Sequence, residues 1–271
     1  MASEVGTAFT SKKRKLSYGI IASMLEMLAR TVLSPKRGAR ALSPLASRAA
    51  VRPCRWSSGF PARCVRFLFY PILLTAIRGI AWLRIRNAEV LNSLDGPVIL
   101  ASNHQSDLDT AVLLAALPRP WCYRMAPTGC DACFAVNQPL VRVLKYLHYV
   151  ILLLFTNGLT LPRGIGFRVS LRHMAWLVDK KWSILIYPEG EISNSDQLLP
   201  FEAGVGMIAT RLRLPVVPVR IDGTRRVWNR SSKMIRPGPV LVRFGSPLLL
   251  QGNDYRAMTK QVEQAIRALK D

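Results

Sequence analysis

His104 stands five residues before Asp109, with Asp107 between them, directly after the apolar run Pro97-Val98-Ile99-Leu100-Ala101. A strand that ends in a loop opening a helix can fold a carboxylate from the helix's start back onto the imidazole. The carboxylate then accepts the Nδ1 proton and fixes the tautomer, which leaves Nε2 to take a proton from a bound hydroxyl. That is the wiring of a general base. The same residues also fit a plainer role, in which Asp107 or Asp109 only caps a helix over 108–117 and His104 is an ordinary loop histidine.

A second set of candidates, Tyr187-Pro188-Glu189-Gly190, follows the apolar run Ser183-Ile184-Leu185-Ile186. Its glutamate falls at the carboxyl end of a strand, where α/β sheets build their sites. A Pro-Glu-Gly turn with a solvated carboxylate is the plainer alternative. No Gly-x-Ser-x-Gly elbow occurs in the chain, so a serine hydrolase using His104 would lack its nucleophile. The nucleophile then has to come from a substrate.

In order and spacing these residues resemble the motifs of the glycerolipid acyltransferase family, the group that includes the 1-acylglycerol-3-phosphate acyltransferases. Asn103, His104 and Asp109 fill its first motif, Asn-His-x4-Asp, and Tyr187 to Gly190 fill most of its third, Phe-Pro-Glu-Gly-Thr. Leu159-Thr160-Leu161-Pro162-Arg163 resembles the second motif and Leu214-Pro215-Val216-Val217-Pro218-Val219 the fourth. Further similarity lies at Pro200 to Gly204 and at Val242 to Pro247, so the resemblance covers roughly residues 80 to 270.

The resemblance implies a membrane-associated O-acyltransferase of phospholipid synthesis. His104, oriented by Asp109, would deprotonate the hydroxyl of a lysophospholipid acceptor, which attacks the thioester of acyl-CoA or acyl-carrier protein. The leading acceptor is 1-acylglycerol-3-phosphate, giving phosphatidate. Arg163 would hold the acceptor's phosphate, because a guanidinium binds phosphate oxygens bidentately. Asn103, Glu189 and Gly190 would complete the acceptor site, with Arg225 or Arg226 adding positive charge at its rim. Neither a metal nor a cofactor beyond the acyl donor is expected. Tyr187 stands for Phe in the third motif, and three departures bear on the acceptor: Glu191 replaces threonine, Ser193 occupies a region often basic, and Glu202 stands where lysine is common. The glutamates add negative charge, which leaves room for a lyso-aminolipid or another acceptor of lower phosphate charge.

The formal net charge of +22 over 271 residues calls for an anionic partner. Residues 1–66 carry 13 Lys and Arg against two acidic residues. A basic leader over 1–64, a membrane-associating helix over 65–84 and a catalytic domain over 85–271 are the expected divisions. A polybasic leader is attracted to anionic lipid by about 1 kcal/mol per residue near the surface, which points to the cytoplasmic face of a membrane. Its Ser- and Arg-rich composition also fits an organelle-targeting segment. Ile20 to Leu33 and Tyr146 to Leu161 are further membrane-active candidates, the second fitting a buried strand plus helix of the core equally well and its last part better. A non-enzymatic basic protein that binds nucleic acid or membrane is the competing class. Against nucleic acid, the leader's cations are not interleaved with stacking aromatics and no known reading motif appears.

The hydrophobic pattern predicts strands near 97–101, 121–126, 183–187, 215–221 and 239–244, with another approaching Arg163. Helical patterns fall near 108–117, 136–147, 167–179, 202–213 and 254–270. Such alternation predicts a single α/β layered domain with a largely parallel central sheet flanked by helices. Gly204-Val205-Gly206-Met207-Ile208-Ala209 matches a dinucleotide fingerprint, but a loop separates it from its strand, so its glycines are read as close packing at a helix start. Cys130 and Cys133, near Cys122 and His148, lack a second cysteine pair at ligand spacing and are read as small buried thiols.

Overall fold

Val98-Ile99-Leu100-Ala101 and Ser183-Ile184-Leu185-Ile186 are apolar on both faces, the pattern of strands covered by helices on either side of a parallel sheet. The structure, a computed structural model, describes residues 60–130, 159–161, 167–229 and 234–270. Among them seven strands form one sheet: β1 (Arg84–Arg86), β2 (Ile99–Ser102), β3 (Met125–Cys130), β4 (Leu159–Leu161), β5 (Ser183–Ile186), β6 (Val216–Asp222) and β7 (Leu241–Phe244). Their order is β1-β7-β6-β2-β5-β3-β4, parallel throughout except for the β6–β7 pair.

Alternate residues of the central strands feed two cores. Leu100, Leu185, Val217, Val219 and Ile221 point to one face. There α1 (Phe60–Ile80), a 3-10 turn at Ala88–Ser93, α2 (Asp109–Ala116) and the short α3 (Arg119–Cys122) cover them. Ile99, Ala101, Ile184, Ile186 and Val216 point to the other. That face is covered by α4 (Phe167–Asp179), α5 (Gly204–Leu212) and α7 (Tyr255–Ala268), while the four-residue α6 (Thr224–Val227) follows β6.

Helix α1 buries the stripe Tyr70, Leu74 and Ile77 against the first core, where the Tyr70 ring lies 5.3 Å from that of Tyr123. Arg78 of α1 donates through Nε to the Ala115 carbonyl at 2.8 Å, satisfying one of the carbonyls that a helix end leaves unpaired. Its other side remains exposed at Phe67, Leu68, Phe69, Ile72 and Leu73.

The expected helices at 108–117, 167–179, 202–213 and 254–270 are present within a few residues of those bounds. The strand expected at 121–126 begins only at Met125, because Pro120 sits in the first turn of α3, where its missing N–H costs nothing. β1 carried no sequence signal: its three residues, Arg-Ile-Arg, are all exposed at a sheet edge, so no alternation marks them. β7 runs against β6; among the described residues between the two strands only the four-residue α6 is helical, and no full helix carries the chain across the sheet. The fingerprint-like glycines divide. A Cβ on Gly206 would meet the Tyr255 carbonyl oxygen at 2.5 Å, so α5 and α7 pack through it, whereas Gly204 faces open space. The helix expected over 65–84 runs instead from Phe60 to Ile80, so the last five residues of the expected leader belong to it, while residues 1–59 with Ile20–Leu33, the helix at 136–147, Cys133, His148 and Arg163 lie outside the described residues.

Asn103 extends the pairing of β2 with β6 beyond the last backbone partner, Ser102 opposite Val219. Its Nδ2 donates to the Ile221 carbonyl and its Oδ1 accepts from the Ile221 N–H, each at 2.8 Å. Replacing Asn103 by Ala strands both buried backbone groups, at about 1–3 kcal/mol each. Urea unfolding should therefore show a loss of that order, and an unchanged midpoint would contradict the staple.

Candidate active site

The register of the two central strands sets the site. Ala101 lies opposite Ile186, so His104 and Glu189 each stand three residues beyond a paired position, at adjacent carboxyl ends. The His104 N–H donates to Glu189 Oε1 at 2.8 Å, and the Ser193 N–H donates to the His104 carbonyl at 2.8 Å. Both backbone groups of the histidine are thus held by the segment that follows β5.

The side chain is held by the start of α2. His104 Nδ1 donates to Asp109 Oδ2 at 2.8 Å, and the same oxygen accepts from the N–H groups of Gln105 at 2.6 Å and Ser106 at 2.9 Å. Asp109 is fully buried and is the first residue of α2, where the helix dipole favours negative charge. Three donors and the helix end compensate at Oδ2 for taking the carboxylate out of water, while Oδ1 is buried without a hydrogen-bond partner among the described residues. The plainer role for Asp109, a simple cap, does not describe this geometry: its oxygen turns back to the residues before the helix. His104 keeps 18% of its side chain exposed, and Nε2 has no partner among the described residues. A ring held at Nδ1 and open at Nε2 can accept a proton from a bound hydroxyl.

Tyr187 lies parallel to the imidazole, with ring centroids 4.0 Å apart and planes at 15°. Its hydroxyl pairs with Thr110 Oγ1 at 2.9 Å. Burial, followed by the charge of Asp109, pushes the Tyr187 phenol well above its ordinary value, so it stays neutral.

Glu189 is buried, and its second oxygen accepts from the Leu199 N–H at 2.9 Å. Expected to meet substrate, it is engaged at both oxygens by backbone donors. Asn103 likewise directs its amide to Ile221 rather than to the mouth of the site. Gly190 turns the chain at φ 72°, in the left-handed region, and a Cβ there would meet Glu202 Oε1 at 3.1 Å. Gly190 and Glu191 are exposed. Ser106 Oγ donates to the Trp228 carbonyl at 2.6 Å, which brings the segment after α6 beside the His104 loop. From α6, Arg225 reaches Asp196 Oδ1 at 3.2 Å and the Asn194 carbonyl at 2.6 Å, bracing the loop after Gly190, while Arg226 is exposed. Tyr187 and Thr110 were not legible in the sequence as neighbours of His104. The spacing of Thr110, next to Asp109, was the one available hint.

The model of the family described as Acyltransferase matches residues 83–222. A 1-acyl-sn-glycerol-3-phosphate acyltransferase of Cocos nucifera is 42% identical over 80 residues, 29% of this chain and 26% of that protein. One from Limnanthes alba is 26% identical over 150 residues, 55% of this chain and 50% of its own length. The human protein 1-acyl-sn-glycerol-3-phosphate acyltransferase beta is 26% identical over 174 residues, 64% of this chain and 59% of its own. The chain thus spans from a quarter to about six-tenths of the length of these relatives. Among solved structures, that of the 1-acyl-sn-glycerophosphate acyltransferase from Thermotoga maritima superposes with a TM-score of 0.52 at 21% identity, covering 73% of this chain and 79% of that one, and so shares its fold.

Burial pushes the Glu189 carboxyl above its usual range, against the pull of its two N–H donors. A carboxyl raised in the folded state contributes most stability below its unfolded value, and that contribution is lost as pH rises through the folded one. Glu189→Gln removes the titration at a constant cost of one hydrogen bond. The difference in unfolding free energy between variant and parent should therefore move in the variant's favour as pH rises from about 4. Urea titrations from that pH upward check it, and a difference independent of pH would contradict the raised value.

Proposed function

The chain belongs to the Acyltransferase family, and from that premise we propose that it transfers an acyl group from acyl-CoA or acyl-carrier protein to a lysophospholipid hydroxyl. The acceptor we propose is 1-acylglycerol-3-phosphate and the product phosphatidate. One observation carries the reading: His104 is fixed at Nδ1 by a fully buried carboxylate and left open at Nε2.

His104 Nε2 takes the proton of the acceptor's hydroxyl as the oxygen attacks the thioester carbonyl. The tetrahedral intermediate then collapses, the C–S bond breaks, and the imidazolium returns its proton to the leaving thiolate. The product is an ester and a free thiol, and no covalent enzyme intermediate is needed. Arg163, beyond the described residues, is the proposed phosphate ligand, two residues after the end of β4. Arg225 and Arg226 add positive charge on α6. Gly190, without a side chain, lets the acceptor approach the backbone.

The same reading puts the chain on an anionic membrane surface at the cytoplasmic face. Among the described residues no helix is long and apolar enough to cross a membrane. The exposed side of α1, from Phe67 to Leu73, is apolar. Arg66, Arg78 and Arg84 flank it. Such a helix lies in the interface with its arginine heads in the polar layer.

The Glu202 carboxylate beside Gly190 favours a second acceptor class. With exposed Glu191 it adds negative charge where a phosphate dianion would enter, which supports a lysophospholipid or lyso-aminolipid of lower phosphate charge.

Transfer of labelled acyl groups from acyl-CoA to lysophosphatidate in mixed micelles tests the proposal. His104→Ala should lose at least about a hundredfold in turnover, and near-parental turnover would remove His104 as the base. If the parent fails with lysophosphatidate but acylates a lyso-lipid of lower charge, the second acceptor class is correct. Failure with every acceptor and with both donor types would overturn the acyltransferase reading.

A further inference from the structure

The Nδ1 bond to Asp109 leaves the imidazole free to swing about the line joining the two atoms. A flat partner at van der Waals distance stops that swing, and the Tyr187 ring lies 4.0 Å from the imidazole at 15°. Resting on His104 as the base, we propose that Tyr187 is a positioning residue that fixes the plane of His104 and is itself anchored by Thr110.

The anchor is the hydrogen bond of 2.9 Å between the Tyr187 hydroxyl and Thr110 Oγ1. A buried tyrosine hydroxyl needs such a partner. Thr110 directly follows Asp109 in the first turn of α2. Successive residues of one turn therefore hold the imidazole by its edge, through Asp109, and by its face, through Thr110 and Tyr187. The four side chains close a ring in which no member can rotate without breaking a contact. A phenylalanine at 187 could stack but could not be tethered.

The stack also serves the protonated state. After proton transfer the imidazolium lies over the electron-rich face of a neutral phenol, which attracts a cation. Tyr187 itself exchanges no proton with substrate, since its hydroxyl is turned to Thr110.

Three variants of the full chain separate this role from simple core packing: Tyr187→Leu, which removes the flat face, Tyr187→Phe, which removes only the tether, and Thr110→Val, which removes the tether's partner. Acyl transfer from acyl-CoA is measured for each. Tyr187→Leu should lower kcat about 10- to 100-fold with KM within about threefold, as expected when a reacting group is misplaced but binding is intact. Tyr187→Phe and Thr110→Val, which lose the same tether, should each fall between the parent and Tyr187→Leu. Circular dichroism confirms that each variant is folded.

Imidazole nitrogen NMR gives a readout that needs no activity. The chain has three histidines, so His104→Gln assigns the resonance. The parent should show one tautomer with the proton on Nδ1 and sharp lines, and Tyr187→Leu the same tautomer with lines broadened by motion of the ring. A Tyr187→Leu chain with unchanged kcat, or with its loss confined to KM, would overturn the proposal, as would an unchanged NMR signature. If the parent transfers no acyl group, the proposed function fails, while the NMR result still decides whether Tyr187 fixes the ring.

Discussion

Asp109 Oδ2 gathers three donors from the residues that precede its own helix, the imidazole of His104 and the N–H groups of Gln105 and Ser106. A fully buried carboxylate is stable only where hydrogen bonds and local dipoles replace its lost hydration. The loop therefore has little choice of shape. It must present its N–H groups inward to the charge, and in doing so it turns His104 so that Nδ1 faces inward and Nε2 outward. The remaining restraints are arranged around that one oxygen: Glu189 and Ser193 hold the backbone of His104, and Tyr187 lies against its ring.

The sheet makes this arrangement possible by placing β2 and β5 side by side in register. Residues far apart in sequence then leave the sheet at the same height, and a glutamate three positions beyond one strand meets a backbone N–H three positions beyond the other. The staple from Asn103 to Ile221 fixes the opposite flank through β6. The shape of the His104 loop thus rests on hydrogen bonds from residues at or beyond the ends of three adjacent strands. Helix α1 is apolar on both sides, one packed on the core through Tyr70 and Leu74, the other exposed at Phe67 to Leu73.

Much of this was legible in the sequence because it depends on local pattern. The histidine, the aspartate five residues later and the apolar runs before each motif predicted the central strands, α2 and the His104–Asp109 pair. What stayed hidden depends on direction rather than type. Asn103 and Glu189 are polar residues at strand ends and read as substrate ligands. Sequence alone cannot show that their polar atoms point sideways, to Ile221, His104 and Leu199. Tyr187 registered only as a replacement for phenylalanine, since its partner Thr110 lies 77 residues away. The edge strand β1 escaped because an exposed Arg-Ile-Arg has no hydrophobic period. The departures Glu191 and Glu202 were visible as charges, but only the close approach of Glu202 to Gly190 gives them a place.

Asp109→Asn tests the central claim most directly, because it keeps the shape of the side chain and removes its charge. Kinetics of acyl transfer should show kcat lower by on the order of a hundred- to ten-thousand-fold, since an amide no longer fixes the tautomer or favours the imidazolium. KM should stay close to the parental value. A folded Asp109→Asn chain that turns over within about threefold of the parent would contradict the claim that this carboxylate sets the base.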